Sequence, residues 1–101
     1  MCYRDCDKPI DISKNINLKI LETFFYNYPL NLLNHIYLED LKLTFHKHPI
    51  NISNNINLKE LDLRGYNFII DVSNNINLEI IYGDLNLIKG FNKNITKVVE
   101  K

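Results

Sequence analysis

Residues 49–68, PINISNNINLKELDLRGYNF, decide the fold, because their spelling returns at one fixed distance on both sides. Cutting before residues 9, 29 and 69 gives PIDISKNINLKILETFFYNY, PLNLLNHIYLEDLKLTFHKH and IIDVSNNINLEIIYGDLNLI, with no gap between blocks. A repeat of 20 residues is the mark of a solenoid, in which each coil is one turn of chain stacked on the last. Residue type holds at fixed offsets: Ile10, Leu30, Ile50 and Ile70; Ile12, Leu32, Ile52 and Val72; Ile16, Ile36, Ile56 and Ile76. Leu18, Leu38, Leu58 and Leu78, and then Leu21, Leu41, Leu61 and Ile81, complete the apolar set. All five columns are expected inside, where same-offset side chains of neighbouring coils meet and only adjacent coils together bury a core.

Within the quoted block, Leu58-Lys-Glu-Leu61-Asp-Leu63 alternates, with Leu61 and Leu63 inward and Glu60, Asp62 and Arg64 outward. That is the period of a short β-strand. Pro9, Pro29 and Pro49 stand at corners, where a fixed φ and a missing donor are tolerated. The return arm, such as Ile50 to Ile56, reads as extended chain or 3₁₀ turns, since a 20-residue coil leaves little room for a helix. The expected fold is a β-rich repeat solenoid of four to five coils, with a short parallel sheet on one face and little α-helix. One domain spans 1–101: an N-terminal cap at 1–8, repeats at 9–28, 29–48, 49–68 and 69–88, and a C-terminal cap or partial repeat at 89–101.

The L-x-x-L-x-L pattern at 58–63, with its echoes from 9 to about 88, resembles the leucine-rich repeat, whose units run from about 20 to 29 residues. In that family an Asn or Cys follows at a set place. Here only Asn86 matches, while Tyr26, His46 and Tyr66 hold the position in the other blocks. Asn55 and Asn75, with Asn57 and Asn77, form different columns, whose amides are placed to bridge carbonyls of neighbouring coils. Phe91-Asn92-Lys-Asn-Ile95 is similar to the F-N-x-P-I core of FNIP repeats, relatives of the leucine-rich repeat, but lacks the Pro. The last segment, Phe91 to Lys101, falls out of register and is expected to close the C-terminal end of the core, as Met1 to Lys8 closes the other.

The resemblance implies a concave strand face. Its outward positions are Ile20, Glu22 and Phe24; Asp40, Lys42 and Thr44; Glu60, Asp62 and Arg64; Ile80, Tyr82 and Asp84. Four rows about 4.8 Å apart make a patch on the order of 15 Å across, small for a stable interface. Phe24, Tyr82 and Ile80 beside an Arg have the chemistry of a binding hot spot. A purely structural alternative pairs Lys42 with Glu22 and Asp62, and Arg64 with Asp84, across strands.

Twelve basic and twelve acidic residues cancel, which favours neither nucleic acid nor anionic lipid as partner. The first seven residues are polar, and no stretch approaches the length of a membrane helix, so an intracellular, cytoplasmic protein is expected. Cys2 and Cys6 are two thiols only, too few for a structural zinc site, and are expected to be ordinary reduced cysteines in a frayed or capping terminus.

His46 and His48 flank Lys47 and point the same way on extended chain, but no acidic or thiol column completes a metal site. They replace Tyr26 and Tyr66, and Tyr28 and Phe68, ring for ring, and His35 replaces Asn55 and Asn75. Ser13, Ser53 and Ser73 obey the repeat, which suits turn hydrogen bonds better than nucleophilic catalysis. Gly65, Gly83 and Gly90 make no phosphate-cradling loop. Asn51-Ile-Ser53 and Asn94-Ile-Thr96 spell glycosylation acceptors, a match expected by chance among sixteen asparagines.

These readings lead to a non-enzymatic protein-interaction module, without metal or cofactor, that binds a partner protein through the concave strip. A second reading is a structural element that self-assembles end to end or edge to edge.

Overall fold

In the computed structural model, which describes residues 2–4 and 8–100, the chain winds as a parallel β-solenoid of about five coils of about 20 residues, with almost no helix. The strands are β1 (Cys2–Arg4), β2 (Ile20–Phe24), β3 (Asp40–Thr44), β4 (Glu60–Asp62), β5 (Ile70–Asp71), β6 (Ile80–Tyr82), β7 (Ile88–Lys89) and β8 (Lys97–Val99). Six of them form one parallel sheet in the order β1-β2-β3-β4-β6-β8, and β5 pairs with β7 in a second, smaller one. The register follows the repeat: Leu21, Leu41, Leu61 and Ile81 are successive partners, each 20 residues on.

Alternation sets which face is dry. Leu21 and Thr23, Leu41 and Leu43, and Leu61 and Leu63 face inward and are fully or almost fully buried. The return arm supplies the opposing wall, with Ile12, Leu32, Ile52 and Val72 in one column and Leu38, Leu58 and Leu78 in another, all buried. A buried Leu or Ile is worth about 1.5–3 kcal/mol relative to an exposed one, so the stack of coils is held mainly by these columns.

Between strands the return arm makes two successive tight turns. The N–H of Asn55 donates to the carbonyl of Ile52 at 3.0 Å, and that of Leu58 to the carbonyl of Asn55 at 3.2 Å, with the same pair of bonds in the first, second and fourth coils. This geometry overturns one sequence expectation. Ile16, Ile36, Ile56 and Ile76 are the second residues of the second turn, and they stand 45%, 43%, 49% and 71% exposed instead of joining the core. A turn's central residues project away from its chord, whatever their hydropathy.

β1 joins the sheet beside β2, and β8 beside β6, so both termini add a strand to it. Phe91 and Val98 are partly buried against the core. The partner of Ile80 on β8 is Lys97, 17 residues on, which is the loss of register visible in the sequence. Cys6 and the side chain of Cys2 lie outside the described residues, and with them any pairing of the two thiols.

Candidate protein-binding face

The outward positions of the large sheet form rows set by the strand register. One row runs Ile20, Asp40, Glu60, Ile80 and Lys97, and the next runs Glu22, Lys42, Asp62, Tyr82 and Val99. Phe24 and Thr44 are partners in a third, which Arg4 extends on β1. Glu22, Phe24, Asp40, Lys42, Thr44, Glu60, Ile80 and Tyr82 are partly exposed and Ile20 is half exposed, so no other described element covers this face.

Asp62 departs from its expected role as a contact. It is 2% exposed, and its carboxylate accepts hydrogen bonds from the Arg64 backbone N–H at 3.1 Å and from the Arg64 guanidinium. The partner of Arg64 is therefore Asp62 on its own chain segment, not Asp84 on the next coil. The guanidinium also lies over the Tyr82 ring, 5.4 Å from its centroid. The adjacent carboxylate raises the Arg64 pKa further.

Asp84 has left the sheet: its side chain caps a 3₁₀ turn at Leu85–Leu87 by accepting from the Asn86 N–H at 2.9 Å. Lys42 lies between Glu22 and Asp62 by register, but closes no ion pair with either. Burial pushes the Asp40 carboxyl up, Lys42 pulls it down, and Glu22 and Asp62 push it up further.

Behind this face the coils are tied by side-chain ladders. Asn75 Nδ2 donates to the carbonyls of Ile52 and Asn55 at 2.9 and 3.0 Å, and Asn55 Nδ2 to those of Leu32 and His35 at 3.0 and 2.8 Å. His35 continues the ladder by donating from Nε2 to the Ile12 carbonyl at 2.8 Å, so it does substitute for Asn in the column. Asn57 and Asn77 make the outer rungs, each 2.8 Å from a carbonyl of the preceding coil. The bridging expected of these amides is present, at a place other than the usual leucine-rich-repeat position.

The histidine pair behaves as a ring substitution. His46 stacks between Tyr26 and Tyr66, at 5.9 and 6.3 Å between centroids, while His48 Nε2 hydrogen-bonds the Asn27 carbonyl. Among the described residues no group of three or more His, Cys, Asp or Glu is placed to hold a metal ion. Ser13 Oγ donates to Asp11 at 2.6 Å within its own turn, as a turn residue should.

Three features escaped sequence reading. Asp11, Asn31, Asn51 and Asp71 form a column whose side chains accept from the backbone N–H two residues on, at 2.8–3.0 Å. The recurring Asx before the first turn was the available signal. Phe25 and Phe45 adopt φ of 57° and 56°, and their rings stack 4.9 Å apart over Gly65, which has φ of 75°. Lys19, Glu39, Lys59 and Glu79 form a column of alternating charge, in which Lys59 and Glu39 lie 3.7 Å apart.

No family model matches the chain, and neither the curated proteins nor the solved structures contain a match to it. Among the described residues no helix is long and apolar enough to cross a membrane.

Proposed function

We propose that this chain is a leucine-rich-repeat-like protein-binding module, acting in the cytoplasm without catalysis or cofactor, whose partner docks on the outward face of the six-stranded sheet. The observation that carries the reading is the open face itself. Lys42, without an ion pair among the described residues, lies near its centre, and the part-exposed Ile20, Phe24, Ile80 and Tyr82 lie around it. The ammonium sits in a row between Glu22 and Asp62, and the apolar and aromatic groups on the flanking strands add contact area, so the face offers a partner mixed charge and apolar surface.

The size of the face limits the partner. Six strands about 4.8 Å apart and three to five residues long make at most roughly 24 by 13 Å, or about 300 Å², against about 800 Å² per side in a standard stable interface. The contact therefore belongs to the weak, transient class, or takes a short segment of the partner. Balanced charge favours neither nucleic acid nor membrane.

The test is affinity capture from source-cell extract with wild type and with a Lys42→Ala, Tyr82→Ala variant of matched circular dichroism. A protein held by wild type and lost by the variant is the expected result. If the variant retains every protein that wild type retains, the reading fails. Asp62 is unsuitable for this experiment, because its buried carboxylate holds the local chain together.

A further inference from the structure

We infer that two copies of this chain associate side by side through the isoleucine column, antiparallel and about a two-fold axis. An apolar ridge lies in the wrong place for a lone molecule. Ile16, Ile36, Ile56 and Ile76 project from the coil corner, each more than two-fifths exposed. With coils about 4.8 Å apart, the ridge is about 15 Å long and unbroken by any charge. Scattered exposed apolar residues are normal, whereas a contiguous line of them marks an interaction site.

The neighbouring columns say what covers it. On one side, Asn17, Tyr37, Asn57 and Asn77 are uncharged, and the amides of Asn57 and Asn77 are spent on carbonyls of the preceding coil. Beyond them stands the exposed or half-exposed column Lys19, Glu39, Lys59, Glu79. Its signs alternate coil by coil, so the order reads plus, minus, plus, minus along the stack.

Place a two-fold axis in the contact plane, at right angles to the stack and between the second and third coils. It sets Ile36 against the second copy's Ile56, and Ile16 against its Ile76. The same operation sets Lys19 against Glu79 and Glu39 against Lys59, twice each, so all four charged contacts are attractive. A two-fold axis along the stack, which would pack the copies parallel, instead carries the two charged columns to opposite sides of the ridge, where they never meet. A surface that complements itself under a two-fold axis is what an isologous dimer requires. The ridge lies outside the rows proposed for the partner protein, and the association is independent of that reading.

So short a ridge makes a weak dimer, with a dissociation constant on the order of 10⁻⁴ M. Sedimentation equilibrium of the full chain up to about 1 mM is expected to show a monomer–dimer equilibrium. Ile56→Asn, at an exposed turn position, should abolish it without changing the circular dichroism. Lys59→Glu alone and Glu39→Lys alone should each weaken self-association by about tenfold, because each opposes like charges at two contacts.

An equimolar mixture of those two variants should recover it. The new carboxylate at position 59 of one copy would then face the new ammonium at position 39 of the other, and every contact would again be attractive. A wild type that stays monomeric at 1 mM overturns the inference. So does a dimer indifferent to Ile56→Asn, or single charge variants whose mixture associates no better than either alone. Should Ile56→Asn fail to fold, the charge mixture decides.

Discussion

Tyr26 and His46 stack as neighbours in one ring column, 5.9 Å apart and within 15° of parallel, but only Tyr26 ends in a hydrogen bond. Its hydroxyl accepts from the Ile10 N–H at 2.9 Å, and Tyr66 does the same for Ile50 at 2.8 Å, each 16 residues back. The imidazole is too short for the equivalent reach to Leu30, and neither ring nitrogen of His46 has a partner. His46→Tyr should therefore restore the missing rung. Stability measured by urea unfolding is expected to rise by about 1–2 kcal/mol, from one added hydrogen bond and the loss of a buried unpaired polar group.

The same site predicts a pH dependence. Burial, with His48 next in effect, lowers the His46 pKa to about 4 from the ordinary 6.5. Between those values the unfolded chain binds the proton and the folded one does not, so stability falls as the pH drops from about 6.5 toward 4. The loss should be on the order of 1–2 kcal/mol after allowance for solvent screening. It is read as the difference between wild type and His46→Tyr, which cancels carboxylate titrations common to both. Equal slopes for the two proteins over this window would refute it.

Asn55→Ala should cost about 1–3 kcal/mol in urea unfolding, since it removes two buried hydrogen bonds and leaves the carbonyls of Leu32 and His35 with only their turn N–H partners. Asn57→Ala removes one exposed bond to the Ile36 carbonyl and should cost less than about 1 kcal/mol. A similar loss for both would mean that the buried ladder is not what ties the coils.

Gly65→Ala should destabilise for two separable reasons. The position has φ of 75°, and an added Cβ would clash with the Phe45 ring. The backbone part costs about 1–2 kcal/mol whatever the ring does. Phe45→Ala clears the space, so in a double-mutant cycle Gly65→Ala should cost less in the Phe45→Ala background than in wild type. An unchanged cost would place the whole effect in the backbone.

The inward leucines show how much was legible. Leu41, Leu43, Leu61 and Leu63 alternate with Lys42 and Asp62, and that period places them on the dry face without reference to anything distant. The candidate face was legible to the same degree: Glu22, Lys42 and Tyr82 sit in one row as the repeat implies. Asp62 was not, because the guanidinium of Arg64 folds back onto it within its own chain segment instead of reaching Asp84 on the next coil.

By itself the sequence determined the period, the strand in each coil and the leucine wall, because these follow from local alternation and from identical residues stacking at identical offsets. Tertiary structure alone decided that Ile16, Ile36, Ile56 and Ile76 face outward, that of the bridging amides Asn55 and Asn75 are buried while Asn57 and Asn77 stay exposed, and that β1 and β8 join the sheet. Hydropathy would send isoleucine inside and asparagine outside. The paired turns reverse this by aiming each Asn amide at two carbonyls of the preceding coil, partners that exist only once the coils are stacked.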